Sequence, residues 1–167
     1  AVPRMNNTDL KTYGFEFEVT WRDRLKNGLS YDVKFMLWDS QTKITKYPNE
    51  NGLLSTYRSG QKMGEIWGYE TIGIAKTDEE MQAHLATLPN GGQNALGSQW
   101  EAGDIMFRDL NGDGKIDGGA NTLNDHGDKK IIGNNTPRFS FGFNLSADWK
   151  GVDIRAFFQG VMKRDYI

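Results

Sequence analysis

Strict alternation between apolar and polar residues constrains the fold of this chain more than any other feature. Residues 13–22 place Tyr, Phe, Phe, Val and Trp on one face, and mostly polar side chains on the other. Residues 29–38 repeat the pattern after Asn27-Gly28, two residues that tolerate the positive φ of a tight turn. A period of two residues is typical of a β-strand with one apolar and one polar face. We therefore predict a first β-hairpin.

The same pattern returns near the end of the chain. Residues 139–149 and 152–159 alternate on either side of Lys150-Gly151, so we predict a second hairpin. The alternating runs have about the 9–11 residues that a tilted strand needs to cross a bilayer. Aromatic residues stand near their ends, as in the interfacial girdles of outer-membrane barrels. These girdle residues are Tyr13, Trp21, Tyr31, Trp38 and Trp149.

The connections between the four strands are very unequal. Two short turns contrast with one long connection, which is the plan of an outer-membrane barrel. The fold class predicted is all-β with minor α: antiparallel strands of a transmembrane β-barrel, two hairpins flanking one long extracellular loop. The boundaries are a barrel hairpin at 1–40, the loop at 41–136, and a barrel hairpin at 137–167 that we expect to be cut at its C-terminus.

The long loop has elements of its own. Residues 62–76 mix glycine with aromatic and β-branched residues and predict short strands. Thr77 followed by Glu80 is a capping box, which predicts a short helix over about 78–88 with Met81, Leu85 and Leu88 inward. Residues 89–99, rich in Pro, Asn, Gly and Gln, predict a flexible tip.

Composition excludes several classes of function. The 20 Lys and Arg residues against 22 Asp and Glu give a net charge of −2, which argues against nucleic acid as a partner. The absence of cysteine excludes disulfides and thiolate chemistry. The sequence shows no Ser/His/Asp spacing of a catalytic triad, no phosphate-binding loop and no carboxylate pair on a rigid element, so we expect no enzyme. The mean hydropathy of −0.65 is low, but a barrel wall needs apolar residues only at alternate positions.

One motif carries metal chemistry. Residues 109–117, DLNGDGKID, fit the opening of an EF-hand-type calcium loop. The candidate ligands are Asp109, Asn111 and Asp113 by their side chains, Lys115 by its backbone carbonyl, and Asp117 at the ninth position.

The twelfth position departs from the motif. It holds Ala120 instead of a bidentate glutamate, so Asp125 or Asp128 would have to supply the last carboxylate from beyond an insertion. The ion expected is a structural calcium; the alternative is a glycine-rich turn with solvated aspartates.

Several segments together resemble one family. Residues 109–117, DKKIIGN at 128–134, PRFSFGFN at 137–144 and WKGVD at 149–153 closely resemble the C-terminal barrel region of SusC/RagA-type TonB-linked outer membrane proteins of Bacteroidetes. The segment 64–73 and the first strand also resemble that family, so the similarity covers nearly the whole chain in order.

The resemblance implies an energised importer in the outer membrane of a Gram-negative bacterium. Such a protein takes up glycans or peptides, acts with a SusD-like surface lipoprotein, meets membrane lipid, and contacts TonB through a plug region that is absent here. The resemblance also favours Asp128 over Asp125 as the last ligand, because Asp128 precedes Lys129-Lys130-Ile131-Ile132-Gly133 as the closing Asp of the family does.

A second interpretation stays open. The chain could be a calcium-stabilised extracellular carbohydrate-binding or adhesion module. In that case the apolar faces of strands 13–22 and 139–149 would pack against each other in a closed core.

Overall fold

A computed structural model describes residues 6–166, so residues 1–5 of the predicted first hairpin and Ile167 of the last lie outside it. The elements in chain order are β1 (Asp9–Arg24), β2 (Ser30–Lys46), β3 (Glu65–Tyr69), β4 (Thr71–Ile74), α1 (Asp78–Ala86), β5 (Ile105–Phe107), β6 (Lys129–Asn134), β7 (Arg138–Trp149) and β8 (Val152–Lys163). The chain divides into two compact units. Among the described residues, the first consists of 6–9, 44–61 and 65–133, and the second of 10–43, 62–64 and 134–166.

The second unit is built on one four-stranded sheet in the order β1-β2-β7-β8. Strands β2 and β7 pair antiparallel with Phe35 opposite Phe143, and β7 pairs antiparallel with β8 with Phe143 opposite Phe158. Both predicted hairpins are therefore confirmed as strand pairs around their predicted turns. The sheet is open, with β1 and β8 at its edges, and the described strands close no barrel.

Both short turns use residues with positive φ. The N–H of Leu25 donates to the carbonyl of Leu29, and Gly28 has φ +87°. Between β7 and β8, Lys150 has φ +50° and Gly151 has φ +84°. Glycine suits this left-handed region because it has no Cβ to clash.

The apolar face of the sheet is exposed along the edge strands β1 and β8 and half-buried over most of β2 and β7. Its side chains include Phe17 at 52%, Trp21 at 63% and Ile154 at 64% of full exposure. Strands β1 and β7 lie in the same sheet, so their apolar faces do not pack against each other. The closed core of the binding-module interpretation is thus not found among the described residues.

An ion pair between β2 and β7 stabilises the start of β7, the end opposite the turn to β8. Asp39 accepts two hydrogen bonds from the Arg138 guanidinium, each 2.6 Å long, and one from the N–H of Phe139. Phe139 has φ +52°, a strained conformation for an aromatic residue. The sequence pattern did not indicate this pair, because its two residues are far apart in the chain.

The first unit contains the predicted helix and short strands. Thr77 caps α1 by accepting a hydrogen bond from the N–H of Glu80, as predicted. The Glu80 carboxylate reaches the N–H of Lys76 instead of returning to the Thr77 N–H. Met81 is fully buried and packs with Ala75 and Met106, and Leu85 and Trp100 cover this cluster. Strand β3 pairs with β6, and β4 pairs with β5.

The prediction of a flexible tip is wrong around Gln93. This side chain is fully buried. Its amide accepts a hydrogen bond from the N–H of Phe107, donates one to the carbonyl of Ile105, and bonds the imidazole of His84. A buried amide with three hydrogen-bond partners holds residues around Gln93 in place. The composition of residues 89–99 does not indicate these bonds, because the partners lie elsewhere in the chain.

Within residues 6–166, no helix has the length and apolar character needed to span a membrane.

Candidate metal centre

The 109–117 loop folds around its own side chains. The Asp109 carboxylate accepts hydrogen bonds from the N–H groups of Gly112, at 2.6 Å, and Gly114, at 2.8 Å. Asn111 and Asp113 each accept a bond from the N–H two residues ahead. Gly114 has φ +78°, which supplies the sharp turn expected at the sixth position. The loop therefore directs its oxygen atoms inward.

Neighbouring segments fix this loop in place. Ile116 is fully buried, so its side chain anchors the loop to the unit beneath it. Asn90 donates from its side chain to the carbonyl of Asp113 and from its backbone to that of Gly114. The N–H of Ile116 donates to the carbonyl of Gly92. Burial of Ile116 and these hydrogen bonds therefore hold the segment that carries the candidate ligands in a fixed position.

Asp128 joins the loop across the insertion. Its carboxylate is fully buried and accepts bonds from the N–H of Leu110 at 2.7 Å and of Asp117 at 2.9 Å. The N–H of Asp128 returns a bond to the carbonyl of Asp117. These two hydrogen bonds place residues 117 and 128 next to each other, and residues 118–127 form a loop between them.

The structure places one carboxylate oxygen each of Asp109, Asp113 and Asp128 within 4.8 Å of one another. Three acidic groups at this spacing can share one hard cation. Asp125 lies outside the cluster, because its carboxylate accepts a bond from the N–H of Ala120 and folds the insertion on itself.

The Asp117 carboxylate is not among the three that converge. It contacts the Lys115 ammonium at 2.6 Å and accepts a bond from the N–H of Gly119. The bond from Lys115 is the main reason why the pKa of Asp117 lies below its usual range, and the same contact raises the pKa of Lys115. The calcium-loop motif predicts a role for Lys115 only through its backbone carbonyl, and the motif's spacing gives no sign of this ion pair.

The pKa of the Tyr69 hydroxyl reflects, besides burial, the negative charge of the nearby carboxylates. Burial raises the pKa of its hydroxyl, and the charges of Asp117 and Asp128 raise it further. A negative potential of this kind favours a cation.

A second polar cluster lies in the same unit and was missed by sequence reasoning. Arg58 and Glu65 form a buried ion pair at 2.6 Å, and the Arg58 guanidinium lies over the ring of Trp67. Trp67 in turn packs against His126. No spacing rule joins these residues, since they come from separate segments of the chain.

No family model matches this chain. The "TonB-dependent receptor P3" of Formosa agariphila is 26% identical to it over 167 residues, which is 92% of this chain and 15% of that protein. The "TonB-dependent receptor P39" of the same organism is 23% identical over 175 residues, which is 89% of this chain and 16% of that protein. The chain thus spans about one-sixth of the length of the curated relatives it matches. The resemblance seen in the sequence is confirmed at this level: over about nine-tenths of its length, the chain is similar to a segment of TonB-dependent receptors.

Proposed function

We propose that this chain forms part of the barrel wall of a TonB-dependent outer-membrane transporter of the SusC/RagA type. The observation that carries the proposal is the similarity to two TonB-dependent receptors over about nine-tenths of the chain. The two-faced sheet supports it, because a strand of such a barrel presents apolar residues to lipid and polar residues to the lumen.

The strand lengths suit this role. Strands β7 and β8 have 12 residues each, and β1 and β2 have 16 and 17. A tilted strand needs about 9–11 residues to cross the bilayer, so all four are long enough and β1 and β2 extend beyond it.

The proposal assigns a side of the membrane to each connection. The two short turns face the periplasm, and the long segment between β2 and β7 is extracellular. The protein imports glycans or peptides with a SusD-like lipoprotein, and TonB supplies energy through a plug region in another part of the polypeptide. The chain itself supplies wall and loop and catalyses no reaction.

Cell fractionation tests the location. The full-length protein is expected in the outer-membrane fraction, resistant to a carbonate wash and released only by detergent. Recovery in the soluble fraction without detergent would contradict the proposal.

We also propose that the 109–128 loop holds a structural calcium ion. Its ligands are the side chains of Asp109, Asn111, Asp113 and Asp128 and the carbonyl of Lys115, with Asp117 contributing through water. The convergence of three carboxylates within 4.8 Å supports this set, since calcium takes six to eight hard oxygen ligands. An ion that binds only the folded loop stabilises it by mass action.

Limited proteolysis tests the calcium site. Calcium is expected to protect the loop of the wild-type receptor compared with chelator, and to give no protection to the Asp109→Ala, Asp113→Ala double variant. Asp125→Ala is the matched control, because Asp125 lies outside the cluster, and it should keep the calcium effect. Equal cleavage of the wild type with calcium and with chelator would make the motif a turn only.

A further inference from the structure

A groove lies on the apolar face of the sheet, beside its two short turns. It has a volume of about 410 Å³, and its walls come from the turn before β2 and from the turn-side ends of β7 and β8. The residues that line it are Asn27, Leu29, Ala147, Trp149, Val152 and Ile154. Ile154 is only the third residue of β8, so this apolar groove begins within about 7 Å of the turn at the rise of a strand.

The indole of Trp149 connects the two turns. Its Nε1 donates a hydrogen bond of 3.3 Å to the carbonyl of Asn27 in the first turn. The Lys150 ammonium lies 4.7 Å from the centre of the Trp149 ring, a distance typical of a cation–π contact. Because Trp149 lines the apolar groove, this contact places a positive charge beside it.

The charges near the turns differ between the two faces of the sheet. On the polar face, charges of both signs line a separate groove, and its charged residues are Arg22, Asp23, Arg24, Asp32, Asp148, Asp153 and Arg155. Among the described residues, no charged side chain lines the apolar groove, but Lys26 and Lys150 directly neighbour Asn27 and Trp149, which do. Neither lysine forms an ion pair within residues 6–166. Both ammonium groups are therefore available to an anion from outside the chain.

Neighbouring strands of a barrel leave the apolar groove open. Strand β7 is an inner strand of the sheet, and further strands add beside β1 and β8, in the plane of the sheet. They extend the apolar face and do not cover it. In the transporter proposed above, this face meets lipid and the short turns lie at the periplasmic surface. The groove then lies at the depth where lipid headgroups meet acyl chains, which is where tryptophan rings and lysine ammonium groups concentrate.

We propose that the apolar groove binds an anionic phospholipid of the periplasmic leaflet, an inference that rests on the proposed place of the chain in a barrel wall. One acyl chain occupies the groove and covers the Trp149 indole. The ammonium groups of Lys150 and Lys26 donate charge-assisted hydrogen bonds to the phosphate oxygens. The lipid thereby contacts both turns at once.

Selectivity for charge separates this site from ordinary contact with lipid. Any lipid-facing wall meets acyl chains, and that contact does not depend on the headgroup. Two lysines beside one groove favour a headgroup with net negative charge, because each basic residue near the membrane surface favours anionic lipid about fivefold. The positive group of a zwitterionic headgroup is repelled by the same lysines. The site therefore selects phosphatidylglycerol over phosphatidylcholine.

Lipid titration of the purified full-length receptor tests the site. Native mass spectrometry measures its affinity for phosphatidylglycerol and for phosphatidylcholine with identical acyl chains. The wild type should bind phosphatidylglycerol more tightly, and Lys150→Gln should weaken that binding about fivefold. The Lys26→Gln, Lys150→Gln double variant should lose about fivefold more and bind the two lipids alike. Lys163→Gln, an exposed lysine at the opposite end of β8, is the matched control and should bind as the wild type does.

A variant that fills the groove tests the acyl contact separately. Ala147→Phe keeps both lysines and should weaken binding of phosphatidylglycerol, because the added ring takes the space of the acyl chain. Glycerol phosphate, the soluble headgroup without acyl chains, should not displace the lipid at comparable concentration. Displacement by glycerol phosphate, or undiminished lipid binding by Ala147→Phe, would make this a site for phosphate alone and overturn the inference.

The remaining outcomes separate this inference from the transport proposal. Equal affinity of the wild type for the two lipids would overturn the lipid site, and so would a double variant that binds phosphatidylglycerol like the wild type. If the receptor still fractionates with the outer membrane, either result leaves the transporter assignment standing. A receptor found in the soluble fraction would overturn the transport proposal and this site with it.

Discussion

At the scale of single residues, Asp128 holds the loop around the carboxylate cluster together. Its buried carboxylate accepts bonds from the N–H groups of Leu110, Asn111 and Asp117. Removing it leaves three partly buried N–H donors without this partner, and an unsatisfied donor shielded from water costs about 1–3 kcal/mol.

The first prediction compares two aspartates. Asp128→Ala should destabilise the loop by about 2–4 kcal/mol, measured as faster pulse proteolysis of the full-length receptor in calcium-free buffer. Asp125→Ala, at an exposed position of the insertion, should cost under about 1 kcal/mol. Equal sensitivity of the two variants would mean that Asp128 does not organise the loop.

The second prediction concerns pH. The hydrogen bond from Lys130, aided by the charges of Lys130 and Arg108, holds the pKa of Glu70 below its usual value. The stability from this carboxylate is therefore present above its ordinary pKa of about 4.3 and is lost as the pH falls through the lowered value. Glu70→Gln should lower the resistance of the unit to proteolysis at neutral pH, and wild type and variant should converge below about pH 4. A difference that grows on acidification would contradict this sign.

Sequence reasoning reached only part of the site. Asp109, Asn111 and Asp113 were predictable because their spacing is local and the glycine after them permits the turn. Asp128 could be chosen over Asp125 only through a family resemblance, because an insertion breaks the spacing. The Arg58–Glu65 pair and the amide of Gln93 were not predictable, since hydrogen bonds between distant segments leave no periodic signal.

At the scale of strands, alternation identified all four members of the sheet. It underestimated β2, which continues to Lys46, because residues 40–46 carry polar side chains on both faces. The extension is held by backbone pairing, with Ile44 bonded to Gln61 and Lys43 bridged to Lys62. The alternation of side chains within residues 40–46 does not predict these backbone bonds to residues 61 and 62.

The third prediction tests which face of β1 meets lipid. Phe17→Lys should harm membrane insertion, because a lysine on the lipid face costs roughly 2–4 kcal/mol at the bilayer midplane. Glu16→Lys, on the neighbouring position and the opposite face, should insert normally. Heat-modifiable mobility of the full-length protein on gels reports folding in the membrane. Equal damage by both changes would refute the assignment of the faces.

The fourth prediction tests the close approach of β1 and β2. A Cβ on Gly14 would lie 2.1 Å from the backbone carbonyl oxygen of Asp39, which cannot move without shifting the strand. Gly14→Ala should therefore cost about 1–3 kcal/mol in unfolding experiments. Gly142→Ala meets only the end of the flexible Met36 side chain and should cost less. The reverse order would show that β1 and β2 do not pack this closely.

At the scale of the whole molecule, the sheet has two open edges. Strands β1 and β8 each have a partner on one side only, so one row of backbone N–H and C=O groups on each is unpaired within the sheet. Much of the apolar face, above all on β1 and β8, is exposed as well. Edges of this length promote pairing with other chains unless neighbouring strands cover them.

The fifth prediction follows from these edges. The 167-residue chain expressed alone should form oligomers or aggregates in aqueous buffer, because pairing at β1 and β8 and burial of the apolar face both favour association. Analytical ultracentrifugation over a range of concentrations measures this, and detergent micelles serve as the control. Micelles should reduce association by covering the apolar face, but they leave the edges free, so some pairing should persist. A monodisperse monomer that melts cooperatively without detergent would mean that the apolar face finds a partner within the chain. That result would favour the binding-module interpretation over a barrel wall.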